Sequence, residues 1–156
     1  SARGRAPTAR RAPSTGTRGS DRALKWYTVV VDCHDTQAQA HWWAQALDWD
    51  VVYDTPDEAV AIPKGMSEDP VDDVEEWMAR GQGLVFVPVP EGKTVKNRLH
   101  IDLAPHTSQD RDAEIARLLD LGASRVDVGQ DDAAVTWTVL ADPEGNEFCV
   151  LSTRNR

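Results

Sequence analysis

From Leu24 onward this chain repeats itself. Twice it reads as strand, helix and three strands, with equivalent points about 70–75 residues apart. That period is too long for a solenoid unit and fits a duplicated βαβββ module. The first copy spans about residues 24–90 and the second about 96–152. Their helix ends correspond loosely, Ala46-Leu47-Asp48-Trp49 against Asp120-Leu121-Gly122-Ala123. Two such modules predict an α+β fold. Their sheets pair into one curved, half-open barrel, helices lie outside, and inward strand faces line a cavity.

Local signals mark each element. Leu24–Cys33 reads as a strand, with Tyr27, Val29 and Val31 alternating against Thr28, Val30 and Asp32. Asp35 is placed to cap a helix over Thr36–Leu47, whose Ala40, Trp43, Ala44 and Leu47 recur at helical spacing. Val51–Tyr53 and Ala59–Ile62 predict two short strands. Asp69-Pro70 predicts the start of a second helix, with Pro at its first position and Gly81 beyond its end. Val71, Val74, Trp77 and Met78 would form that helix's apolar face, and Leu84–Val89 a fourth strand. In the second copy, strand Arg98–Leu103 leads to a helix over Gln109–Leu121 capped by Ser108, with Gly122 after its end. Arg125–Val128, Val135–Leu140 and Glu147–Leu151 read as three further strands. The stretch Asp142-Pro143-Glu144-Gly145-Asn146 signals a turn between the last two.

The segment Lys96–Leu103 points to a site. Leu99, Ile101 and Leu103 would share one strand face, and Lys96, Arg98, His100 and Asp102 the other. A chargeable row with His at its centre, opposite an apolar face, suits a pocket. Lys96 and Arg98 as charge-assisted donors favour an anionic or carboxylate-bearing ligand.

Composition narrows the classes. Residues 1–23 are Arg, Ala, Pro, Thr, Ser and Gly, with a lone Asp21 and no aliphatic or aromatic residue larger than Ala, so a disordered basic tail is expected before a domain over 24–156. The Arg10-Arg11 pair has no apolar stretch after it of the kind an export signal needs. Residues 1–25 carry a net charge of +6 within a total of −9, so the remainder carries −15. A domain that acidic argues against nucleic acid as a partner. No apolar run is long enough to span a bilayer. Cys33 and Cys149 make no disulfide framework, and a reducing cytoplasm is the simpler expectation.

Taken together, the Asp35 cap with Trp42-Trp43 and Ala46-Leu47-Asp48-Trp49, the run Lys96–Asp102, and Asp142-Pro143-Glu144-Gly145-Asn146-Glu147-Phe148 resemble the vicinal oxygen chelate superfamily. That superfamily includes glyoxalase I, bleomycin-resistance proteins and extradiol dioxygenases. The chain is most similar to its glyoxalase-like branch, common in bacteria. Asp48 stands where the superfamily usually has Gly. In metal-using members the resemblance implies four ligand positions, on the first and last strand of each module. Here these fall at Thr28, Val87, His100 and Cys149. His100 matches the usual ligand type. Glu147, on the same strand face as Cys149, is a second candidate, so the metal pair expected is His100 and Glu147. A divalent metal is the only cofactor implied, and its site is incomplete.

The reading that follows is a small-molecule-binding protein. Arg98, His100, Asp102, Glu147, Cys149 and Thr28 would contact a small organic or anionic ligand. The alternative is a metal-dependent lyase, isomerase or dioxygenase. A third is an interaction module whose basic tail does the binding. The resemblance also implies a homodimer. His34, His41 and His106 read as exposed polar residues. Trp43, Trp77 and Trp137 read as core, and Trp26, Trp42 or Trp49 as candidates for lining a cavity or a dimer contact.

Overall fold

The computed structural model describes residues 24–130 and 135–156. The expected tail, residues 1–23, lies outside them. The first module comprises β1 (Thr28–Cys33), α1 (Thr36–Leu47), β2 (Trp49–Asp54), β3 (Ala59–Pro63), a short α2 (Val74–Ala79) and β4 (Gly83–Pro88). The second comprises β5 (Ile101–Leu103), α3 (Arg111–Asp120), β6 (Ser124–Arg125), β7 (Thr138–Ala141) and β8 (Glu147–Val150).

The duplication is visible in the topology. The sheets run β1-β4-β3-β2 and β5-β8-β7-β6, the same order in each module. In both, the first strand pairs in parallel with the last, and the other pairings are antiparallel. The sheets do not close into a barrel, as a half-open α+β arrangement requires. Each has one face on the core and one face open.

One apolar cluster joins the modules. It includes Trp42, Trp43, Ala59, Leu84 and Phe86 from the first, and Ile115, Leu118, Leu140, Phe148 and Val150 from the second. Helix α1 buries a broad face, because it packs on its own sheet and also meets β8. The Trp43 ring lies edge-on to Phe148, with centroids 5.2 Å apart. Trp42 is therefore core, and its indole N–H donates to the Leu121 carbonyl at 3.0 Å.

Polar groups fasten the same junction. Asp142 is 3% exposed and its Oδ2 accepts from Gln39 Nε2 at 2.9 Å and Trp43 Nε1 at 3.0 Å. Its Oδ1 accepts the Glu144 and Asn146 N–H groups of its own turn. Glu144 reaches back to the start of α1, where its carboxylate accepts from the N–H of His34 at 2.6 Å and of Asp35 at 3.1 Å. The expected turn is thus also the clamp between modules.

Several element boundaries differ from expectation. Strand β5 begins at Ile101 and not Arg98, leaving Leu99 90% exposed. Its partner explains this. Ile101 pairs with Phe148, and β8 starts at Glu147 straight after the turn, so residues 98–100 have little strand to pair with. Helix α2 starts at Val74, where Asp73 accepts the Glu76 N–H at 2.7 Å. Pro70 stays in the preceding loop, and none of that helix's residues is buried. Helix α3 is capped by Asp110, which accepts from Asp112 and Ala113 N–H groups; the Ser108 hydroxyl instead meets His106 Nδ1 at 2.7 Å. Strand β7 starts at Thr138, so Trp137 precedes the ladder and is 40% exposed rather than core.

Candidate functional site

The open face of the second sheet carries a cavity of about 300 Å³. Strand parity builds it. Along β8, Phe148 and Val150 turn to the core, and Glu147 and Cys149 to the other side. Asp102 of β5 and Val139 of β7 share that side, joined by His100 and Trp137 from the residues just before those strands. The connection between modules adds Lys96 and Asn97. One flank is polar and chargeable; Trp137, Val128, Val139 and Leu151 make the other apolar.

Three groups converge within it. His100 Nδ1 lies 3.0 Å from Asp102 Oδ1 and 4.0 Å from Cys149 Sγ. The ligand-type atoms of His100, Asp102 and Cys149 all fall within 4.8 Å of one another. The imidazole and carboxylate are about half exposed, whereas Cys149 is buried. Burial pushes the Cys149 thiol up from its ordinary range, and the Asp102 charge and hydrogen bond push it further; Lys96 pulls weakly the other way. The thiol therefore keeps its proton at neutral pH and is not an activated nucleophile.

Glu147 is engaged elsewhere. Its Oε1 pairs with Lys93 Nζ at 2.8 Å and its Oε2 accepts the Asn97 N–H at 3.1 Å. Burial raises this carboxyl, but the Lys93 ammonium and the N–H donors outweigh it and hold it below its usual range. Glu147 thus fastens the 93–97 segment beside the pocket. Arg98 is exposed and lines no part of this cavity. Thr28 donates its hydroxyl to the Gly83 carbonyl at 3.0 Å and lines a different cavity, of about 570 Å³, on the first sheet. The two cavities share no lining residue.

The four positions implied for a metal therefore do not meet in one cavity of a single chain. Thr28 is committed to a backbone carbonyl, and Val87 has no donor atom. The residues do not fit a four-ligand centre drawn from both modules. His100, Asp102 and Cys149 do offer a compact three-donor set of mixed hardness, of the kind that suits a borderline ion.

Of the six residues expected to contact a ligand, His100, Asp102, Glu147 and Cys149 line one cavity, and Arg98 and Thr28 do not. Asn97 and Gln130 also line it from loops, which carry no period, and Val128 lines it from beyond β6, which ends at Arg125 and not at Val128 as expected. The buried role of Asp142 had a signal, its place at the head of the turn, but its partners on α1 are distant in sequence.

Comparison with known proteins agrees with this architecture. The family model for a glyoxalase-like domain matches residues 28–151. None of the curated proteins matches the chain by sequence. Among solved structures, a glyoxalase/bleomycin resistance protein/dioxygenase family enzyme from Burkholderia phytofirmans superposes with a TM-score of 0.58 at 14% identity, covering 84% of this chain and 100% of that one. A variant of the fosfomycin resistance protein FosX from Listeria monocytogenes, complexed with manganese(II) and 1S,2S-dihydroxypropylphosphonic acid, gives 0.56 at 9% identity, covering 81% and 88%. A glyoxalase-related enzyme from Fulvimarina pelagi gives 0.53 at 14%, covering 82% and 88%. At these identities the likeness is one of fold.

Proposed function

This chain belongs to the glyoxalase-like domain family, and from that premise we propose that it binds a small anionic organic molecule on the open face of its second sheet. One observation carries the reading: a cavity of about 300 Å³ with Lys96, Asn97 and His100 on one flank, beside the carboxylates of Asp102 and Glu147 that His100 and Lys93 meet, and Trp137, Val139 and Leu151 on the other. The polar flank orients an acidic group through charge-assisted hydrogen bonds, and the apolar flank takes the organic body. Trp137 stacks on a flat ligand and reports its arrival. The FosX relative, bound to a phosphonic acid, supports an acidic ligand by analogy. The test is a fluorescence titration with a panel of carboxylates, phosphonates and aromatic acids. Saturable quenching that disappears in Trp137→Phe is expected; no saturation across the panel would sink the reading.

A second reading adds a metal. The convergence of His100, Asp102 and Cys149 favours it. These three side chains would hold a borderline divalent ion, which would polarise a ligand oxygen as a Lewis acid. Two copies of the chain pair in this proposal, since exposed apolar side chains remain on both open faces: Val30 and Tyr53 on the first, and Trp137 with nearby Leu99 on the second.

A further inference from the structure

Asp102 and Glu147 put two carboxylates in the lining of the ligand cavity, and among the described residues Lys96 is the only ammonium there. That balance by itself disfavours an acidic ligand. Lys93 corrects it from outside. It is not part of the lining, yet its Nζ meets Glu147 Oε1 at 2.8 Å. With side chains 19% and 11% exposed, this is the least exposed ion pair among the described residues. Charges that water screens so little act strongly on their neighbours. Lys96, by contrast, pairs with no carboxylate among the described residues.

The same pair grips the backbone around Lys96. Lys93 Nζ also donates to the Val95 carbonyl at 2.7 Å, and Glu147 Oε2 accepts the Asn97 N–H at 3.1 Å. Those two groups belong to the peptide units on either side of Lys96. Peptide units are planar, so only the φ and ψ of Lys96 lie between them. Holding both units fixes the direction in which the Lys96 side chain leaves the backbone. Regular structure does not do this, since residues 91–99 form neither helix nor strand. Among the described residues, no backbone–backbone hydrogen bond involves them. Packing does not do it either: Val95 and Leu99 are 75% and 90% exposed.

We propose that Lys93, from outside the cavity, sets its preference for acids: it cancels the Glu147 charge and, together with Glu147, aims Lys96. The proposal rests on the reading that this cavity takes an acidic ligand. Lys93 and Glu147 are positioning residues, and Lys96 is the group that touches the acid. Without Lys93 the cavity presents two carboxylates and one loosely held ammonium. An acid then loses more affinity than a neutral molecule of the same shape.

Benzoate and benzamide test this, because they share a flat body and differ in charge. Each is titrated against the full chain and read by tryptophan fluorescence. In Lys93→Met, which keeps most of the apolar stem, benzoate affinity should fall about tenfold and benzamide affinity less than about twofold. Adding Glu147→Gln to Lys93→Met removes the uncancelled carboxylate, and benzoate affinity should recover about threefold or more. A merely structural pair would give a further loss instead. Lys93→Gln carries the same expectation should Lys93→Met fail to fold. Hydrogen exchange at the Asn97 amide needs no ligand and should quicken about fivefold or more in Lys93→Met. Equal weakening of both probes, no recovery in the double variant, or unchanged exchange at Asn97 overturns the proposal alone. A native chain that binds neither probe fails the binding reading and this proposal together.

Discussion

Asp48 illustrates what one residue can reveal. It ends α1 in the left-handed region, with φ 55° and ψ 49°, where its N–H donates to the Ala44 carbonyl. The glycine expected there from family resemblance adopts that conformation freely, and Asp tolerates it better than most side chains. Its carboxylate meets Lys64 at 2.7 Å, but that pair is largely exposed and contributes little. Asp48→Gly should therefore raise the melting temperature by about 2–4 °C, measurable by calorimetry. Cys149 makes a second case. Its thiol is held protonated, so any metal must displace a proton. Zinc affinity should rise with pH across the neutral range and drop sharply in Cys149→Ser, as read by competition with a chromogenic chelator. Zinc affinity that is flat with pH would remove Cys149 from the site. Lys96→Ala should weaken binding of an acidic ligand by about tenfold, the worth of one charge-assisted hydrogen bond.

At the scale of elements, the turns and caps matter more than the helices they join. Asp142 receives donors from α1 and from its own turn, and all are lost together in Asp142→Ala. Leaving Gln39 and Trp43 donors unpaired at a buried junction should cost about 2–4 kcal/mol, checked by urea unfolding. The Glu147 fastening gives a pH dependence. A carboxyl held below its ordinary value in the folded chain stabilises the fold above that ordinary value. The contribution is lost as pH falls through the folded value. The melting-temperature gap between the native chain and Glu147→Gln should be widest near neutral pH and close as the pH falls below the ordinary carboxylate range. A gap independent of pH would mean that the 93–97 segment is held by other contacts.

At the scale of the whole molecule, part of the architecture is legible in the residues alone. The repeat, the Asp35 cap, the buried Trp43 and the Asp142–Asn146 turn follow from local chemistry: periodicity, cap preference and turn residues act within a few positions. That is why the α+β duplication could be read from residues alone. The pairing of β5 with only a short β8 could not, because strand length is settled by the partner and not by alternation. The same is true of Asp73 and Asp110 displacing the expected helix starts, where several candidate caps compete and packing selects one. The site divides likewise. His100, Asp102, Glu147 and Cys149 were legible as neighbours on strand faces. That Glu147 would hold Lys93 and Asn97, and that Thr28 would line the other sheet's groove, depends on how two modules pack through Trp42, Trp43 and Phe148. Sequence alone determined the modules and their chargeable strand faces, since those depend on short-range periodicity. Only tertiary structure decided which faces are open and which carboxylate is spoken for, since contacts between residues fifty to a hundred positions apart are set by burial of a shared core.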